Sequence, residues 1–330
     1  MKNFQDLPDE LVLKILSYSE TEELQICGQV SKRIRRISND GTLWVSANLE
    51  KKIVKIELVE MILGKGCRIL NLCDSTILGS LSSNMKSQLR VLNLSRPDQA
   101  GSKTNIVKIL EVLLSSSCSL QDLVMEGVLL THKMVVGICK NGKTLQRLNL
   151  NSSDLPLFVN ASSYPFTIPQ YMQEIIKRCQ ELKEIDLAYM NLNRGLKDDD
   201  LAFLVKNIPA KVEKLNLSGS RLMDNQIFVL LVRCNKIKVF GLEATWITDR
   251  SLKNIGQYLN LTLEELSLGG TLQHLSMYIS LTGILALKSM PKLEILNVNN
   301  YEKNDKEIQN LRQHLPHLKI RLHNRNCGAD

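Results

Sequence analysis

The chain has 330 residues, 44% of them hydrophobic and 23% charged, and its 42 lysines and arginines outnumber 34 acids for a net charge of +8. That is enough apolar material for one elongated domain or two compact ones, and no run of about 18 apolar residues offers a membrane span. The opening MKNFQDLPDELVLKIL carries Asp6, Asp9, Glu10 and Lys14, which excludes the uninterrupted core of a signal peptide. A cytoplasmic or nuclear location is the expectation. The eight cysteines include no C-x-x-C pair and no Cys/His cluster with zinc-ligand spacing, so reduced thiols, no metal and no cofactor are expected.

In the first fifty residues, LPDELVLKILSY predicts a helix. Pro8 suits its first position, Asp9 and Glu10 sit where the helix dipole favours carboxylates, and apolar residues fall at 11 and 15 and at 12 and 16. Two apolar stripes call for two neighbours. One stripe can pack in a short helical hairpin with Leu24, Val30, Ile37 and Leu43, while the other is left for a partner chain. The run KRIRR at 32 to 36 reads as a solvated helix face or as a nuclear-localisation patch.

From residue 67 onward the frame L-x-x-L-x-L recurs, as in QLRVLNL, TLQRLNL, ELKEIDL, KVEKLNL and TLEELSL. Its first places fall at 67, 89, 120, 145, 182, 212, 237, 263 and 293, a spacing close to that of leucine-rich repeats with a few insertions. Stretches with helical periodicity, such as DLAFLVKNI and DNQIFVLLVRC, separate the frames. The expected fold is α/β: a small helical domain over 1–48, a linker helix or irregular first repeat over 49–66, a solenoid of about nine repeats over 67–322, and a short tail over 323–330. Parallel strands would line its concave face and helices its convex face, with one continuous core. Cys179 and Cys234 close their helices just before a frame and read as small core residues.

Residues 137 to 144, GICKNGKT, satisfy the phosphate-loop pattern through Gly137, Gly142, Lys143 and Thr144. The order is wrong for that chemistry. A helix tail runs into the glycines and a strand follows the Lys-Thr, so no helix N-terminus faces a phosphate. Gly142 is expected to end the helix in the left-handed conformation, with Lys143 solvated at its negative end. Asp198 to Asp200 read as an acidic helix start, and His314 and His317 straddle Pro316 at a helix end. No motif for a nucleophile or a dinucleotide supports an enzyme, and a nucleotide-binding protein remains the remote alternative.

Side chains alternate along a strand, so the residues flanking the second and third frame places point outward. They include Arg147, Asn149, Glu184, Asp186, Lys214, Asn216 and Glu243, with Asp122, Glu126, Glu265, Asn71, Asn93 and Asn297 in equivalent places. This polar, slightly acidic face suits a neutral or basic protein segment and not nucleic acid. Tyr189, Arg221 and Trp246 lie on the loops just past the strands, where such side chains anchor interfaces. The proline-containing insertion at 151 to 170 is a further candidate contact.

LPDELVLKILSY followed by ELQICGQVSKRIRRISNDGTLW resembles an F-box, and joined to the repeats the chain resembles the F-box/leucine-rich-repeat family over roughly residues 5 to 322. LPDEL, LNLSG and LPHLKI resemble most its S-phase-kinase-associated branch. The resemblance implies the non-catalytic substrate receptor of a cullin-RING ubiquitin ligase of the SCF type. Its F-box would bind a Skp-type adaptor, and through it the cullin and RING subunits, while the repeats present a protein substrate; no homo-oligomer is implied. Leu7, Pro8, Leu11, Ile15, Leu24, Val30 and Ile34 would form the adaptor-facing or supporting set, Ile34 standing where many members carry tryptophan. Tyr189 and Arg221 match a partner-binding edge, whereas Ala244 and Gly270 lack charged groups expected there. With about six residues ahead of the F-box, a docking extension is expected to be absent, and the tail after LPHLKI is expected to be too short to cover the concave face. The alternative keeps the fold as a protein-binding scaffold outside any ligase.

Overall fold

The computed structural model describes residues 6–82, 85–96, 103–153, 168–190, 198–269, 279–299 and 305–321. The chain divides into two compact units, Met1–Thr144 and Leu145–Asp330.

The first unit opens with helices α1 (Asp9–Leu16), α2 (Thr21–Val30) and α3 (Lys32–Ser38), then a 3-10 turn over Gly41–Trp44. Pro8 stands at the N-cap of α1, one place earlier than expected, with φ −57° and ψ 152°. Its ring fixes φ and forces the extended entry that starts the helix. A capping box starts α2, the Glu20 amide donating to Glu23 Oε2 at 2.8 Å, and Ser31 Oγ accepts from Ile34 N at 3.1 Å to start α3. Then follow β1 (Ser46–Asn48), β2 (Ile53–Lys55), α4 (Ile56–Gly64), β3 (Ile69–Asn71), β4 (Thr76–Leu78), β5 (Val91–Asn93), α5 (Lys103–Ser116), β6 (Asp122–Val124) and α6 (His132–Lys140). Strands β1, β3, β5 and β6 pair in that order, all parallel, and β2 pairs with β4.

The second unit repeats strand and helix: β7 (Arg147–Asn149), α7 (Ile168–Arg178), β8 (Glu184–Asp186), α8 (Asp198–Asn207), β9 (Lys214–Asn216), α9 (Asp224–Arg233) and β10 (Val239–Gly241). It continues with α10 (Asp249–Tyr258), β11 (Glu265–Gly269), α11 (Leu281–Leu285), β12 (Ile295–Asn299), α12 (Asp305–His314) and β13 (Lys319–Arg321). Its seven strands form a parallel ladder in chain order. This is the leucine-rich-repeat arrangement of parallel strands backed by helices.

All nine frames read from the sequence become strands, with the frame residues buried, as at Leu145, Leu148 and Leu150. Four further strands among the described residues lie outside those frames: the pair β2 and β4, and β1 and β13, which extend the repeats. In β1 the frame places are held by Trp44, Ala47 and Leu49, all buried, and in β13 the first place is held by His317. The Trp44 ring belongs to a repeat and to the helical domain at once. It is 2% exposed, its Nε1 donates to Ser38 O at 2.7 Å, and Lys65 Nζ lies 3.9 Å from the ring centroid.

One turn recurs at the strand exits. The Asn or Asp ending a strand turns its Oδ1 back to the amide two residues on, as at Asn71 to Cys73 (3.1 Å), Asn93 to Ser95 (3.1 Å) and Asn149 to Asn151 (2.8 Å). The third residue after the strand then takes positive φ: Lys51, Asp74, Arg96, Gly127, Ser152, Tyr189, Gly219 and Ala244. That backbone aims its N–H at the next repeat, as in Asp74 N to Ser95 O (2.9 Å) and Tyr189 N to Ser218 O (2.8 Å). The hydrogen bond between repeats offsets the strain of a left-handed non-glycine residue.

The GICKNGKT segment keeps the helix–turn–strand order read from sequence. Gly137 lies inside α6, where an added Cβ would meet Leu114 Cβ at 2.6 Å. The expectation for Gly142 is corrected, because it is not among the residues of positive φ. Asn141 ends the helix instead, its side chain accepting from Leu120 N and donating to Ser117 O and Gly137 O. Thr144 Oγ1 donates to Leu120 O at 2.7 Å, so this hydroxyl joins repeats and faces no phosphate.

Candidate docking surfaces

On the helical domain, Val12 and Leu16 are buried while the second stripe of α1 is left outside, with Leu11 at 50% and Ile15 at 45% exposed. Val30 on α2 is 73% exposed and Pro8 is exposed; Leu7 and Ile34 are half-buried, and Leu24 at 3% supports the surface from beneath. Two residues missed by the sequence reading are exposed as well: Tyr18 at 77% and Ile26 at 62%. Their spacing was the available signal, since Leu11, Ile15 and Tyr18 stand at i, i+4 and i+7, and Ile26 and Val30 at i and i+4. Six apolar side chains are thus exposed on a small helical domain, and burial of each by a partner is favourable by up to about 1.5 to 3 kcal/mol when fully covered.

The helices that carry these side chains are held together by the basic run. Arg33 Nε donates to Asp9 Oδ1 at 2.8 Å and its terminal nitrogen to Leu7 O, Arg36 pairs with Asp9 Oδ2, and Arg35 Nε donates to Gly28 O at 2.8 Å. The hydrogen bond from Arg33, with smaller contributions from Arg36, holds the Asp9 carboxyl below the usual aspartate range. Three arginines of KRIRR therefore tie α3 to α1 and α2.

In the second unit the register sets Arg147, Glu184 and Lys214 side by side on the outward strand face, with Lys214 Nζ 3.1 Å from Glu184 Oε1. Asn149, Asp186 and Asn216 form the neighbouring row, and each gives its Oδ1 to its own exit turn, the latter two at 2.9 and 3.2 Å. Asn216 Nδ2 also donates to Asp186 Oδ2 at 3.3 Å. Those three are half-buried and serve the fold. At Gly241 the row is interrupted: a Cβ there would meet Asn216 Oδ1 at 2.2 Å, so a side chain at this place would push Asn216 out of its turn.

Along the exit edge, Tyr189 Oη donates to Glu243 Oε2 at 2.9 Å, two repeats away. Arg221 lies over Trp246, 5.6 Å from the ring centroid, and the indole is 48% exposed. The structure thus groups the ten expected recognition residues into a strand face and an adjoining edge. The reading of a slightly acidic face is corrected for this unit. Strand β13, missed in the frame search, adds Lys319 and Arg321 to Arg147 and Lys214, which balances Glu184, Asp186, Glu243 and Glu265. Residues 154–167 of the insertion, Gly270 and the 323–330 tail lie outside the described residues.

The comparisons with known proteins divide along the same line. Residues 4–50 match the family described as F-box-like. Among solved structures, the chain is similar to a leucine-rich-repeat protein of Leptospira interrogans at 18% identity, over 84% of this chain and 70% of that one, with a TM-score of 0.41. It is similar to the yeast Rad7–Elc1 complex at 17% identity over 98% of this chain and 90% of that one, TM-score 0.45. For the actin-binding site 2 of leiomodin-1 the values are 17%, 46% and 90%, with a TM-score of 0.35. The chain therefore carries an F-box-like domain at its N terminus, followed by repeats of the leucine-rich type.

Proposed function

We propose that this chain is the substrate-recognition subunit of an SCF-type ubiquitin ligase, itself without catalytic chemistry, acting in cytoplasm or nucleus. The F-box-like domain binds a Skp-type adaptor, and the strand face and exit edge of the second unit bind a protein substrate. The observation that carries the reading is the exposed apolar set Leu11, Ile15, Tyr18, Ile26 and Val30 inside the segment that matches the F-box-like family. A domain of this size gains nothing for its own stability from leaving these side chains in water. The polar, charge-balanced strand face flanked by Arg221 and Trp246 suits a folded or extended protein segment, with the aromatic–arginine pair as anchor. The likeness to the S-phase-kinase-associated branch supports the same role through LPDEL, LNLSG and LPHLKI.

The test is gel filtration and titration of the full chain with a purified Skp-type adaptor. Ile15→Asp with Val30→Asp changes only exposed positions, so the unfolding midpoint is expected to hold while affinity falls about tenfold or more. Unchanged binding by the folded double variant would refute the adaptor assignment.

A further inference from the structure

Backbone N–H and C=O groups of alternate residues in a parallel strand point to the same edge. In β1, Val45 O accepts from Arg68 N at 2.8 Å and from Ile69 N at 3.0 Å, and Leu49 N donates to Asn71 O at 2.9 Å. Val45, Ala47 and Leu49 thus face β3, and Ser46 and Asn48 direct their backbone groups to the opposite edge. There β1 is the end strand of its sheet, and both residues are exposed. A cleft of about 420 Å³ lies against this edge, with Ser19, Glu20 and Thr21 on the helical side and Ser46, Asn48 and Glu50 on the strand side.

We propose that this cleft is a docking site for an extended segment of a partner protein, which adds a strand to β1 through the open backbone groups of Ser46 and Asn48. Main-chain hydrogen bonds of this kind supply affinity without needing an apolar pocket, and every residue lining the cleft is of a polar type. The charges around it select the segment. Lys52 Nζ sits between Glu20 (3.2 Å) and Glu22 (3.1 Å), and Lys51 Nζ lies 3.4 Å from Glu50. Three carboxylates against two ammonium groups leave one negative charge, so the segment carries a lysine or arginine among small polar residues.

A second copy of the chain is the poorer occupant, because it would set the same five charges against themselves across a three-residue strand. The left-handed Lys51 ends the extended run, which keeps the edge short and guards it against indiscriminate pairing.

The probe is a phage-displayed random heptapeptide library selected on the full chain, with binders remade as synthetic peptides and measured by fluorescence polarisation. Binders are expected to carry a basic residue, to weaken about tenfold when N-methylated at one alternate set of backbone nitrogens, and to tolerate N-methylation of the other set. Glu20→Gln with Glu50→Gln is expected to weaken them about fivefold. Binders indifferent to N-methylation of both sets, or no binders at all, overturn the proposal. So does a chain that elutes as a dimer and becomes monomeric in the double variant, which would mark the edge as a self-pairing surface.

Discussion

Tyr189 is held at a φ of 52°, a conformation that costs a non-glycine residue about 1 to 2 kcal/mol. Its backbone and ring lie directly beneath Gly219, where an added Cβ would come within 2.7 Å of Tyr189 Cδ1 and 3.1 Å of its Cα. Gly219, at φ 79°, is therefore fixed twice, by its own conformation and by its neighbour's. Gly219→Ala is expected to destabilise the second unit by at least about 1 to 2 kcal/mol in urea unfolding. The cysteines make a second prediction at this scale. Burial pushes the Cys67 and Cys234 thiols up to about 11, so both stay protonated at neutral pH, while Cys118 is exposed. Among the described cysteines, timed alkylation followed by mass spectrometry should modify Cys118 before Cys67 and Cys234, which react only on unfolding.

Between elements, the start of one helix fastens the start of the next. Asp224, opening α9, accepts from Thr248 N at 2.9 Å, from Thr248 Oγ1 at 2.6 Å and from Ser251 Oγ; Asp249, opening α10, takes Ser280 N at 2.8 Å and Ser280 Oγ at 2.6 Å. Acidic helix starts were read from the sequence at Asp9, Glu10 and Asp198 to Asp200 but not at Asp224 or Asp249, and the reach of these two acids into the following repeat is set by stacking. Burial opposes ionisation of Asp224, yet the donors from Ser251 and Thr248 outweigh it and hold the carboxyl below the ordinary aspartate value of 3.8. A depressed folded value means the stabilisation is complete above the unfolded value and is lost as pH falls through the folded one. Asp224→Asn should therefore lower stability near pH 7 and flatten the decline on acidification, as read by thermal unfolding from pH 7 to pH 3.

Over the whole molecule, the frame leucines do most to hold each unit together. Leu217 is fully buried, and Leu217→Ala is expected to cost about 2 to 5 kcal/mol. Trp44→Ala should cost about 3 to 5 kcal/mol in the first unit, since it removes a ring shared by α3 and the β1 repeat. A loss near zero in either variant, by chemical denaturation, would mean the packing is misassigned.

Strand positions and the helical N-terminal domain followed from the sequence alone wherever leucines held the frame, because period and hydrophobicity are local properties of the chain. They stayed hidden where Trp44, Ala47 and His317 took the leucine places, since only pairing with a neighbouring strand identifies such a segment. The apolar residues of the F-box-like segment were likewise legible, but not which of them face water. Leu24 and Val30 look alike in sequence, and only the packing of α1 to α3 buries one and exposes the other. Tertiary structure also decided that Asn149, Asp186 and Asn216 serve their own turns, that Arg221 meets Trp246, and that β1 keeps an open edge. Each of these depends on side chains or backbone groups distant in sequence that only stacking brings within hydrogen-bonding or ring-contact range.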